Sequence, residues 1–177
     1  MFLRSAIIFA AAAIGGPAAA QSSEVLPGQG IGLADAGGRC ERTFANNDIL
    51  VPEPHVVGEV SHTLRIKNGG DSAALIKVSE VERNERLIFH VAKGMTASIS
   101  LDDGTYVIRY ALGGHLAADC ETVVRPSYVG RFPGTQRLVT QQDTESYSTA
   151  VLEYTLYKVV SGNVRPKTIT TTEFNKD

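Results

Sequence analysis

From Glu59 onward, apolar residues recur at every second position in short runs separated by turn-forming residues. His62, Leu64 and Ile66 alternate with Thr63, Arg65 and Lys67, and Asn68-Gly69-Gly70-Asp71 breaks the run. Ala74, Ile76 and Val78 form the next face, with Arg83-Asn84-Glu85 as a charged tip. Leu87, Phe89 and Val91 follow, and Lys93-Gly94 turns the chain. Met95, Ala97, Ile99 and Leu101 lead to Asp102-Asp103-Gly104, a hairpin signal because Asp and Gly tolerate the positive φ of tight turns. Tyr106, Ile108 and Tyr110 make a fifth face. Period-two strands at this spacing predict an all-β fold, an antiparallel β-sandwich of about seven or eight strands.

The pattern is looser toward the C-terminus. Gly113–Asp119 reads as a loop and Glu121–Val124 as a short strand. Gln136–Thr140 is expected to pair with Ala150–Val160 across the polar stretch Gln141–Ser148. Thr170 and Glu173 have capping-box spacing, which predicts a short C-terminal helical turn, with Glu173–Asp177 frayed. Upstream, Val51-Pro52-Glu53-Pro54 reads as extended, because proline fixes φ and moves the preceding residue away from helix.

The N-terminus changes where the fold must work. Arg4 precedes an uncharged apolar run from Ala6 to Ile14. Gly15-Gly16-Pro17 breaks that run, and Ala18-Ala19-Ala20 supplies small residues before Gln21. This is the pattern of an export signal peptide over residues 1–20, with cleavage predicted after Ala20. The run is too short for a permanent transmembrane anchor. Residues 21–39 are rich in Gly, Ala, Ser and Pro without a period and read as a flexible leader. A single domain is expected over residues 40–177. The predicted location is periplasmic or secreted, where an even cysteine count favours a Cys40–Cys120 disulfide. Loss of Arg4 takes the formal charge from -2 to -3, which gives no support for a nucleic-acid partner.

Motifs for chemistry are sparse. There is no G-x-S-x-G elbow. His55, His62, His90 and His115 lie on separate segments without a paired-ligand spacing, so neither metal nor cofactor is expected. Glu80–Arg86 alternates charge as a solvated tip would. The distinctive segment is Arg125–Arg137, in which Arg125, Arg131 and Arg137 are interleaved with Tyr128 and Phe132. Arg and Tyr are favoured at interfaces, and this segment is the candidate binding edge for an envelope protein or an anionic glycan or lipid. Its competing reading is an inter-sheet connection whose aromatics plug the core. His115, in the Gly113-Gly114-His115 loop before Cys120, is a further candidate.

Residues 86–111 combine the strand Leu87–Val91, the Lys93-Gly94 turn, the strand Thr96–Leu101 and Asp103-Gly104-Thr105-Tyr106. This arrangement resembles the carboxypeptidase-regulatory-like and PEGA-type β-sandwiches of the prealbumin-like group. The resemblance implies a non-catalytic module of extracellular and envelope proteins. The expected function is therefore a non-enzymatic exported binding or accessory module of the bacterial envelope. Two alternatives are an envelope enzyme using His90, His115 or acidic residues, and a structural subunit that assembles through the edge strand near Ala150–Val160.

Overall fold

The computed structural model describes residues 38–52, 58, 60–156 and 165–176. The expected signal segment, the leader before Gly38, His55 and the end of the expected last strand lie outside these residues. The strands in chain order are β1 (Ile49–Pro52), β2 (His62–Lys67), β3 (Ala74–Glu80), β4 (Arg86–Val91), β5 (Thr96–Leu101), β6 (Gly104–Leu112) and β7 (His115–Leu116). They continue as β8 (Val123–Val124), β9 (Tyr128–Arg131), β10 (Gln136–Leu138), β11 (Gln141–Gln142), β12 (Tyr147–Ser148), β13 (Val151–Thr155) and β14 (Lys167–Thr168), and α1 (Thr171–Asn175) follows.

The fold is an all-β sandwich with one short C-terminal helix. A large sheet runs β1-β4-β3-β6-β9-β14, with β10 also on β6, and faces a three-stranded sheet β13-β2-β5. Leu64, Ile66 and Leu101 from the small sheet meet Ile76, Phe89 and Ile108 from the large one in the main core. Period-two alternation places these residues inward on every strand, as the sequence predicts. The helix begins at Thr170, whose hydroxyl accepts the Glu173 N–H at 3.0 Å.

Two expectations about connectivity are corrected. Asp102-Asp103-Gly104 is a corner rather than a hairpin turn, because β5 pairs with β2 while β6 pairs with β3. Both aspartates are engaged there: Asp102 Oδ1 accepts the Gly58 N–H at 3.0 Å, and Asp103 Oδ1 accepts the Thr140 N–H at 2.8 Å. Space is tight at Gly104: an added Cβ would lie 3.1 Å from Glu80 Oε1 and from the Tyr106 ring, so these neighbours would have to shift. Likewise, Gln136–Leu138 pairs with β6, not with the Ala150 segment. The polar stretch between them closes its own small hairpin, β11–β12, and the chain crosses to the other sheet. β13 then lies parallel to β2, the one parallel pair among the described strands. Leu138 and Tyr154 reach the same core from opposite layers.

The large sheet is also covered on part of its outer face, away from Arg131, Arg137 and Lys167. Its outer side carries a second cluster of Leu50, Ile88, Ala111, Val129, Ile169 and Phe174, flanked by Cys40, Phe44 and Leu75. α1, the β7–β8 pair and the N-terminal arm supply this cover. Lys77 is buried at the centre of that face, and its ammonium donates to Phe174 O at 3.2 Å and Lys176 O at 2.7 Å. A cation at a helix C-terminus meets both the unpaired carbonyls and the negative end of the dipole.

Glu80 is the buried acid of the main layer. Burial pushes its carboxyl pKa up. The N–H groups of Arg83 and Thr105, with the Arg83 charge, more than offset this and hold it below the usual range. A depressed folded pKa contributes stability above the unfolded value of about 4.5, and that stability is lost as pH falls through the folded value. Glu80→Gln should therefore flatten the decline of unfolding free energy below about pH 4.5, as measured by urea titration. An unchanged acid slope would show that Glu80 does not carry this dependence.

Candidate functional site

The residues singled out in Arg125–Arg137 are divided between the two faces of the sheet. β9 is a strand, so its alternation sends Tyr128 inward and Arg131 outward. Phe132 is buried in the main core, its ring centroid 4.0 Å from that of Tyr154 and 5.1 Å from that of Tyr110. Tyr128 packs partly against the same core, 5.8 Å from Tyr110, and its hydroxyl contacts Thr168 Oγ1 at 3.1 Å. The expected mixed Arg–aromatic surface is thus corrected: the aromatics belong to the core, as the inter-sheet reading holds. Arg125 is exposed in the turn between β8 and β9 at φ 49°, and Arg137 is exposed on β10.

His115 has a different setting. The N-terminal arm is tied to the molecule at both ends. At one end Cys40 N–H donates to Leu116 O at 3.0 Å, and the Cys40–Cys120 disulfide is formed, with Cα atoms 4.9 Å apart. At the other end Asn47 N–H donates to His90 O at 2.8 Å, and His90 N–H donates to Asp48 O at 2.9 Å. Between these ties the arm, Ser72–Leu75, His90 and Gly113–Leu116 enclose a cleft of about 420 Å³. This volume lies within the range of small-molecule sites.

The wall is mainly apolar, formed by Phe44, Leu75, Leu116 and the half-cystine Cys40. Arg42 adds a guanidinium 5.1 Å from the Phe44 ring centroid. His90 Nδ1 bonds to Ala45 O at 2.9 Å. A carbonyl can only accept, so the proton is on Nδ1 and the neutral ring keeps Nε2 as its acceptor. No carboxylate lines the cleft among the described residues. Gly114 shapes the turn beneath it at φ 78°, where an added Cβ would lie 2.6 Å from Val124 O. Only glycine fits both that conformation and that space.

A second polar group invites a catalytic reading. His62 is completely buried, with Nε2 2.8 Å from Asp103 Oδ1, and the Thr140 hydroxyl donates to the same carboxylate oxygen at 2.7 Å. In a hydrolytic triad the imidazole stands between acid and hydroxyl. Here the carboxylate and the hydroxyl, 3.5 Å from Nε2, lie at the same ring nitrogen rather than on opposite sides of the ring, and His62 Nδ1 accepts the Ala150 N–H at 2.9 Å. Both ring nitrogens are engaged, so the group clamps the start of β13 onto β2. The Thr140 and His62 hydrogen bonds hold the Asp103 carboxyl below its usual range. Among the described residues no group of three His, Cys, Asp or Glu comes together to hold a metal ion. No described helix is long and apolar enough to cross a membrane.

Comparison of the chain with protein-family models, with curated proteins and with solved structures finds no match. The sequence reading missed Arg42 and Phe44 because they fall in an arm without periodicity. It weighed His90 and His115 together only as parts of an unplaced enzyme site.

Proposed function

We propose that this chain is a non-enzymatic binding or accessory module exported to the bacterial envelope, and that the cleft at Arg42, Phe44, His90 and His115 takes a small apolar ligand bearing an acid group. The observation that carries this reading is the cleft itself: an apolar wall, a guanidinium and two imidazoles, and no opposing carboxylate among the described residues. Such a wall buries hydrocarbon, and Arg42 supplies a fork for an oxyanion. The disulfide suits an oxidising compartment, and the signal-like N-terminus and the likeness to prealbumin-type sandwiches support an exported, non-catalytic role.

The full chain is titrated with decanoate by calorimetry. Saturable one-to-one binding is expected, weakened at least tenfold by Arg42→Glu with little change in the melting curve. Absence of saturable binding, or equal binding by the Arg42→Glu variant, would remove the cleft from the functional account.

A further inference from the structure

The strand registers place four cations in line across the outer face of the large sheet. Lys77 stands opposite Arg109, Arg109 opposite Arg131, and Arg131 opposite Lys167. Directly opposed residues share a face, and neighbouring strands are about 4.8 Å apart, so the row spans roughly 14 Å. Like charges in this arrangement repel, and something must compensate for each of them.

For Lys77 the compensation is visible in the carbonyls at the end of α1. Of the other three, Arg109 feels the Glu173 charge without a direct ion pair among the described residues. Arg109 donates from Nη1 to Ser79 Oγ at 3.2 Å, while its Nε is buried without a hydrogen-bond partner. A native structure rarely leaves such a donor unmet without reason. Burial first, and then the Arg131 charge, lower the proton affinity of Arg109, with Glu173 acting in the opposite direction. Neither Arg131 nor Lys167 has a carboxylate within ion-pair distance among the described residues. A solvated row of surface charges would explain Lys167, but not a half-buried Arg109 held directly opposite a second guanidinium.

We propose that Arg109, Arg131 and Lys167 form a binding site for a phosphate group, separate from the cleft. Arg131 can present paired N–H donors to one oxyanion, the part of the Arg109 guanidinium not held by Ser79 supports it from the adjacent strand, and Lys167 adds a mobile ammonium at the exposed end of the row. Arg137 lies on the same face, opposite Thr105 and four residues along β6 from Arg109, or roughly 13 Å away. It is too far to touch the same phosphate and instead strengthens the attraction of anions to this side. The phosphate can be free or part of an anionic lipid headgroup.

The full chain is tested in two arms at constant ionic strength. Inorganic phosphate is titrated by calorimetry against a chloride control, and sedimentation is measured with phosphatidylglycerol and with phosphatidylcholine vesicles. Saturable binding in either arm is expected, reduced at least tenfold by Arg131→Gln and by Lys167→Gln and unaffected by Arg42→Glu. Free phosphate binding assigns a soluble phosphate ligand. Binding confined to phosphatidylglycerol vesicles assigns a headgroup. Failure in both arms, or binding that survives both Gln substitutions, overturns the proposal. The Arg42→Glu control separates this outcome from failure of the cleft reading.

Discussion

Reducing Cys40–Cys120, or replacing both cysteines with serine, should lower the unfolding free energy by up to about 4.5 kcal/mol. The bond closes a loop with a sequence separation of 80 residues, and the chain-entropy model gives this value as its idealised limit. The effect is predicted to have a local component as well. Cys40 is the anchor of the arm that bears Arg42 and Phe44, so loss of the bond leaves this end of the cleft wall held, among the described residues, by the Cys40 N–H bond to Leu116, the bridge between Arg39 and Ala117 and apolar packing. Thermal unfolding with and without reductant measures the global part. Hydrogen exchange at residues 38–48 measures the local part. Protection in the arm should fall further than protection in β3 and β6. A melting curve unchanged by reductant would show that the bond contributes nothing to stability.

Phe132→Ala is expected to cost about 3–5 kcal/mol, the range for deleting a large buried aromatic. Its ring is stacked on Tyr154 of the small sheet and lies beside Tyr110 of the large one, so the deletion opens a cavity between the layers. The cavity is hard to refill, because Gly130 sits against the Tyr110 ring and has no side chain to move into it. Phe132→Leu should cost less, since it retains most of the buried apolar volume. Chemical denaturation of both variants tests the ranking, and near-equal stability of wild type and Phe132→Ala would contradict the packing described here.

The inner faces of β2, β3, β4, β5 and β6 were legible in the sequence because each alternates over five or more residues. The helix was legible because the Thr170–Glu173 cap is local. Other features required information that only the assembled fold contains. The second face of the large sheet was obscured because Lys77 and Arg109 interrupt it with charge. The parallel β13 was misread because sequence proximity favours a hairpin, whereas burial of Tyr154 and Leu138 from opposite sides requires a crossing. The Arg125–Arg137 segment looked like one surface because interleaving in sequence was read as mixing in space, when a strand separates alternate residues. The row through Arg109, Arg131 and Lys167 depends on register between strands far apart in sequence, and the cleft draws on four separate segments with no shared motif.

The second cluster also sets an order on folding. Phe44 and Leu50 lie near one end of the described chain, and Ile169 and Phe174 near the other, yet all belong to the cover of one sheet face. A chain that emerges from its N-terminus, from a ribosome or from an export channel, delivers that part first. Ile88, Ala111 and Val129 therefore remain without their full apolar cover until residue 174 has emerged. Sandwich pairing between the two sheets has its parts as soon as β13 is available, but the outer face is completed only with the last helix. Until then the nascent chain presents a patch on which a chaperone can act, and α1 withdraws that patch when it docks over Lys77.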